Sequence, residues 1–186
     1  LASSSAPKNR ILLQLRRQGP QAFHFCFQLA PHQAFLGITP ELLYRRSGKK
    51  IESEAIASTR PRGQTLEEDE RLASELRESK KEQREHLMVL ERMERLLQQF
   101  CRKTERLSYL ERLLLKHVQH LQSKVQGILL ENITDSDLLP AFHPTPAVSG
   151  TPDPEARALI RKLEPFDRGW YAGPVGWISN SQSEFA

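Results

Sequence analysis

KKIESEAIASTRPRGQTLEEDERLASEL, residues 49–76, changes its period in the middle. From Lys49 to Ala57 apolar and polar residues alternate after the turn signal Ser47-Gly48, as expected for a strand with one buried face. From Leu66 onward the period lengthens. Leu66, Leu72 and Leu76, then Leu87, Leu90, Met93, Leu97 and Phe100, recur among charges with helical spacing. This predicts two amphipathic helices, over 66–78 and 80–102, with a break near Ser79. A strict heptad is not sustained across Ser79 to Arg84, which argues against a coiled coil.

Upstream, AFHFCFQ (22–28) alternates Phe23, Phe25 and Phe27 with His24 and Cys26, and QAFLGI (33–38) is a second short strand. Downstream, HVQHLQSKVQGILL (117–130) reads as strand from its β-branched and apolar residues in rough alternation. The order is therefore β-rich, then helical, then mixed.

Composition is that of an ordinary soluble chain. Of 186 residues, 38% are hydrophobic and 27% charged, enough to bury one core, and one domain is expected. The net charge of +4 is interleaved with glutamate, as at Arg71, Arg77, Arg84, Arg92 and Arg95, so it reads as solvated helix surface. The aromatic Phe23–Phe27 strand has no adjacent Arg or Lys, so nucleic-acid binding is not expected. Cys26 and Cys101 lie far apart, implying neither zinc site nor disulfide, and a reducing compartment fits best. No run approaches the ~20 apolar residues that span a bilayer, and the opening LASSSAP lacks a secretory core. Neither end shows a closing signal, and the expectation is a chain incomplete at both.

FHPTPAVSGTPDPEARALI (142–160) joins a stiff, small-residue loop to a helix expected over 154–163, with Asp153 as cap and Pro154 in the first turn. Pro144 and Pro146 disfavour helix before them, and Ala147, Ser149 and Gly150 leave room for close approach. Such a loop suits an anion, or is a plain connection.

TPELLYRR, SEAIASTRPRG, EQREHLMVLERM, VQHL, FHPTPAVSGTP, EPFDRGWYAGPVGW and SEFA follow one another in this order. In that order and spacing they resemble the chorismate-utilising enzymes: isochorismate synthases, salicylate synthases, and the large components of anthranilate and aminodeoxychorismate synthase. Ala147 within HPTPAVSG is most similar to the isochorismate synthases of menaquinone, phylloquinone or siderophore pathways, since the amine-forming relatives carry threonine there. EHLMVLERM also lacks their Arg-Asn-Asp.

The resemblance implies an α+β fold of two facing sheets with helices outside, an isomerase, and magnesium-assisted exchange of the C4 hydroxyl of chorismate for water at C2. It places Glu41 as the general acid, a role needing a carboxyl whose pKa is raised by burial or neighbouring charge. Glu85 becomes a magnesium carboxylate, and Ser58, Thr59, His120, Ala147 and Gly173 the substrate contacts. From local sequence alone Glu41 reads as a turn residue, Glu85 as helix surface and His120 as a strand histidine satisfied by its neighbours.

Three departures are visible. Most relatives carry glycine at position 58, where this chain has serine. The family's general-base lysine, on a KVVLAR-type strand, finds no counterpart before Ala22, Lys8 being too poor a match, and the family's later glutamate helix has none either. The expectation is one partial catalytic domain over 1–186, monomeric, with little activity of its own. It would be cytoplasmic if bacterial and plastid-located if plant or algal. Salicylate synthesis, amine-forming chemistry, or a non-catalytic module built on helices across 66–116 are the alternatives.

Overall fold

A computed structural model describes residues 7–186; the opening LASSSA, read above as lacking a secretory core, lies outside them. Two compact units result, one reaching to Glu41 and taking in Ala186, the other covering Leu42–Phe185. The fold is α+β.

In the first unit, helix α1 (Lys8–Gln18) precedes an antiparallel pair, β1 (Phe23–Ala30) and β2 (Gln33–Thr39). Phe25 meets Phe27 and Phe35 at ring distances of 6.1 and 5.5 Å, an aromatic cluster along the hairpin. The alternation at 22–28 is a strand as predicted, but its phenylalanines are not deeply buried, and Phe27 is 44% exposed. Residues 8–18 are helix, which the sequence reading did not anticipate.

The second unit holds a six-stranded sheet in the order β5-β6-β4-β3-β8-β7. Its strands are β3 (Tyr44–Ser47), β4 (Lys50–Pro61), β5 (Cys101–Leu114), β6 (Val118–Leu129), β7 (Gly176–Ile178) and β8 (Gln182–Phe185). Along β4, Ile51, Ser53 and Ala55 are buried while Glu52 and Glu54 are less so, the period-two pattern of residues 49–57 realised. Helices α2 (Leu66–Glu78) and α3 (Lys80–Phe100) follow.

The break at Ser79 has a physical cause. Ser79 ends α2 through its backbone N–H to the Glu75 carbonyl, and its hydroxyl caps α3 by accepting from the Glu82 N–H at 3.4 Å. At the start of α2, Thr65 caps the helix by accepting from Glu68 N–H, and the Glu68 carboxylate accepts from Gln64 N–H. The buried stripe of α3 is Glu82, His86, Val89, Leu90, Met93, Leu96 and Leu97. Its apolar members from Val89 to Leu97 pack with Leu43, Tyr44, Ile51, Ala55, Val125, Leu129, Leu138, Phe142 and Phe185 into one core. Leu66 and Leu87, read as part of the apolar stripe, are exposed.

Residues 101–114 are strand, so the segment 66–116 is not a continuous helical module. CRKTERLSYLERLL is rich in good helix formers, but pairing along β6 overrides that preference. The register of β5 slips three times, and Leu110 adopts φ +51°. As an outer strand it carries Arg102, Lys103, Glu105 and Arg106, which guard an open edge against pairing with another chain.

After β6 come α4 (Asp135–Phe142), a single turn α5 (Pro146–Ser149) and α6 (Asp153–Leu163). The loop expected at 144–150 thus contains a helical turn, closed by Gly150 at φ +75°, where an added Cβ would also lie 2.9 Å from that of Ala156. Asp153 is not the cap of α6. Pro152 holds that position, and Asp153 sits in the first turn, paired with Arg157.

Candidate active site

Three of the sequence-predicted residues meet on the sheet. β4 and β6 run antiparallel with Ala57 opposite Leu121, and the next pair is Thr59 opposite His120. Ser58 is the extra residue, a β-bulge with φ +70°. The bulge turns the Ser58 carbonyl and the Thr59 hydroxyl onto one ring nitrogen: His120 Nδ1 lies 3.3 Å from the Ser58 O and 2.9 Å from Thr59 Oγ1. Residues some 60 apart in sequence are therefore in hydrogen-bond contact.

The left-handed conformation at position 58 explains why glycine suits it, and the structure shows how serine is accommodated. Ser58 Oγ donates to the Glu82 carbonyl at 3.1 Å, tying the bulge to the first turn of α3. Left-handed backbone costs a non-glycine residue roughly 1–2 kcal/mol, and a net hydrogen bond returns roughly 0.5–1.5 kcal/mol. The two nearly offset. Ser58→Ala keeps the strain and loses the bond, so it is expected to destabilise by about 1 kcal/mol, while Ser58→Gly stays near neutral. Urea midpoints of the two variants check this, and equal losses would disprove it.

Glu82 and Arg60 were not singled out from sequence. Arg60 Nη1 donates to Glu82 Oε1 at 3.0 Å, and Glu82 is largely buried. The Ser58 hydroxyl holds the Glu82 carboxyl below its usual range against the opposing effect of burial, and Arg60 adds to this. The clue was available: Glu82 occupies the same helical face as His86, Val89 and Met93. His86 is fully buried, its Nε2 2.8 Å from Ser123 Oγ, which also accepts from the Leu110 N–H.

Glu85 lies one turn past Glu82, flanking the buried stripe, and pairs loosely with Lys81 at 3.5 Å. Gly173 is elsewhere, in the wall of a cleft of about 520 Å3 shared with His143, Ser149, Arg157, Arg168 and Tyr171. Arg168 there is paired with Glu164 and donates to the Val148 carbonyl. Ala147 is exposed and does not line that cleft, although its neighbours Val148 and Ser149 do. Glu41 belongs to the first unit, half-buried, its backbone N–H 3.4 Å from Thr39 Oγ1. Within the second unit the structure thus joins Ser58, Thr59 and His120, and leaves Glu85 and Gly173 in other neighbourhoods.

Both cysteines are free, and burial pushes the Cys101 thiol up to about 11, so that it is inert at neutral pH. No helix among the described residues is long and apolar enough to cross a membrane.

Burial lowers the pKa of His86, His120 and His143, with Arg157 adding to the effect at His143. In the unfolded chain these imidazoles protonate near pH 6.5, so below that the unfolded state binds more protons. Stability is then expected to be flat above about pH 6.5 and to fall on acidification, before carboxylate effects begin near pH 4. Denaturant midpoints at pH 7.5 and 5.5, at equal ionic strength, test the sign. A midpoint unchanged or higher at pH 5.5 would contradict it.

Residues 2–186 match a protein family described as chorismate binding enzyme. The chain is 39% identical over 175 residues to isochorismate synthase 2, chloroplastic, of Arabidopsis thaliana, covering 94% of this chain and 31% of that protein. It is 40% identical over 182 residues to anthranilate synthase component 1 of Saccharolobus solfataricus, covering 95% of this chain and 42% of that one. Its structure superposes with a TM-score of 0.89 on MenF, the menaquinone-specific isochorismate synthase of Escherichia coli, at 34% identity over 99% of this chain and 42% of that one. The chain spans less than half the length of these relatives. The order of motifs, the fold and the family match agree: this chain belongs to the chorismate binding enzymes.

Proposed function

We propose that the chain is part of an isochorismate synthase-type catalytic domain, in which water replaces the C4 hydroxyl of chorismate by adding at C2. The observation that supports this reading is the bulge contact, where Ser58, Thr59 and His120, three residues the resemblance assigns to substrate, converge in hydrogen-bond contact. Similarity to isochorismate synthases of plant and bacterial origin supports it. Ala147 favours water over ammonia, because the amine-forming enzymes that the chain resembles carry threonine there.

In the proposed reaction Glu41 donates a proton to the departing C4 oxygen, and the water that adds at C2 loses one to bulk solvent, from which Glu41 is re-protonated. The ring double bond shifts and the composition of the substrate is unchanged. His120 and Thr59 hold the hydroxyl and carboxylate side of the ring, and the resemblance adds Gly173, which in this structure lines a different cleft.

Magnesium favours hard oxygen ligands, keeps several waters and binds through one or two carboxylates plus the substrate. Glu85 is an accessible carboxylate of that kind. Among the described residues no three His, Cys, Asp or Glu side chains gather into a metal site, so Glu85 is offered as one ligand and the residues present do not complete the set. No step above runs through the ion.

The test is incubation of the chain with chorismate and Mg2+, with and without ammonium, followed by chromatographic identification of the product. Isochorismate in both cases is expected, formed far more slowly than by a full-length enzyme. An aminated product, or product formation indifferent to Glu41→Gln, would overturn the reading.

A further inference from the structure

We propose that α1 of one copy of the chain docks on α2 of a second copy, a basic helix face around Leu13 meeting an acidic one beside Leu66, in a weak, salt-sensitive self-association. This is independent of the chorismate reading.

The net charge of the molecule has a single source. All 23 acidic residues lie at or after Glu41, and so do 23 of the 27 basic ones. The excess of +4 is therefore Lys8, Arg10, Arg16 and Arg17, all on α1, which contains no acid. Interleaving with glutamate holds for α2 and α3 but not for this helix.

One side of α1 is engaged: Ile11, Leu12 and Leu15 are half-buried, and Lys8 Nζ donates to Gln28 Oε1 of β1. The other side faces solvent. Arg10, Leu13, Arg16 and Arg17 are all exposed, and at about 100° per residue they fall within about 120° of the helix circumference. Leu13 is thus an apolar centre ringed by guanidinium groups, none of which forms an ion pair among the described residues.

Helix α2 carries the opposite pattern. It has six acidic residues against Arg71 and Arg77, the largest acidic excess of any described helix. Asp69 is buried in its pairs with Arg62 and Arg112, but Glu67 and Glu70 are exposed. Beside them Leu66, 79% exposed, is the most exposed large apolar side chain among the described residues. Opposite charges around two exposed leucines make a second copy the fitting occupant, and each copy carries both faces, as a self-complementary interface requires. Exposed ion pairs contribute little individually and are screened by salt, so the association is of the small, transient class.

Sedimentation equilibrium over a concentration series reads the association. The expected result is a mass rising toward the dimer at about 0.1 M ionic strength, where the Debye length is about 10 Å, and falling back to the monomer at about 1 M, where it is about 3 Å. Arg17→Glu and Glu67→Lys should each weaken self-association about tenfold or more, because an attraction becomes a repulsion. An equimolar mixture of the two variants should associate like the native chain, since the reversed charges again face opposite partners, and that rescue also shows both variants to be folded. A chain monomeric at every concentration, a dimer indifferent to salt, or a mixture no tighter than either variant alone would overturn the pairing. So would a chain that stays monomeric yet binds phosphatidylserine vesicles through α1, which would assign the basic face to an anionic lipid surface.

Discussion

Asp135→Ala is expected to cost about 3–5 kcal/mol of stability, the range for removing one partner of a buried ion pair. Asp135 opens α4 and is nearly buried. It accepts from Tyr44 Oη at 3.1 Å, from Arg46 Nε at 3.1 Å and Nη2 at 2.5 Å, and from Ser183 Oγ at 2.5 Å. Burial alone would raise its pKa, but these hydrogen bonds and the Arg46 charge hold it below the usual range.

The cost arises because β3, β8 and α4 share this one carboxylate. Tyr44 and Ser183 are fully buried and the Arg46 side chain is 12% exposed, so alanine strands a phenol, a hydroxyl and a guanidinium without water to replace their partner. Tyr44 also stacks near Phe142 and Phe185, at 5.4 and 5.3 Å, so a shift of its ring disturbs the core. At about 2–4 °C per kcal/mol for a chain of this size, the melting temperature should fall by roughly 10 °C. Arg45→Ala is the control: its pair with Glu184 is half exposed and should be worth under about 1 kcal/mol. Comparable losses in the two variants would show that Asp135 is not the junction. Acid should reproduce the effect. A carboxylate with a lowered folded pKa stabilises above its unfolded value near 3.9 and loses that contribution as pH falls further.

What was legible in the sequence depended on how local the information was. β4, α2 and α3 could be read because period and caps agree: Thr65 and Ser79 sit where the helices begin, and the apolar stripe returns every turn. α4 carried a readable box, with Thr134 and Asp137 bonding reciprocally, but its eight residues contain Pro140, which masks the pattern. β5 could not be read, since its residues are helix formers, mostly exposed and irregular in register, and only the partner strand makes them extended.

The site divides along the same line. Nothing in the spacing of Thr59 and His120 says that they touch. Their contact follows from the β4–β6 register and the one-residue slip at Ser58, and only the resemblance to a family singled the residues out. The left-handed backbone at Ser58 makes the glycine preference intelligible, and the bond to Glu82 shows why serine can stand there.

Glu41→Gln is expected to lower turnover of chorismate by about 10² to 10⁴, the usual contribution of a positioned proton donor or acceptor. The proposed reaction expels hydroxide from carbon, a poor leaving group, so protonation of the departing oxygen belongs to the step that breaks the bond. Glutamine matches glutamate in size and can still hydrogen-bond, but it has no proton to give. Binding should therefore change little while the rate falls, which separates loss of a transition-state interaction from loss of substrate affinity. Glu41→Asp retains the acid but withdraws it by one methylene, and should recover part of the rate. Glu41 is at the end of the first unit and outside the core of the second, so Glu41→Gln should melt like the native chain. Single-turnover rates at saturating chorismate, alongside melting curves, distinguish these outcomes. A Gln variant as fast as the native chain would remove Glu41 from the acid role, whereas a slow variant that also melts early would assign the loss to folding.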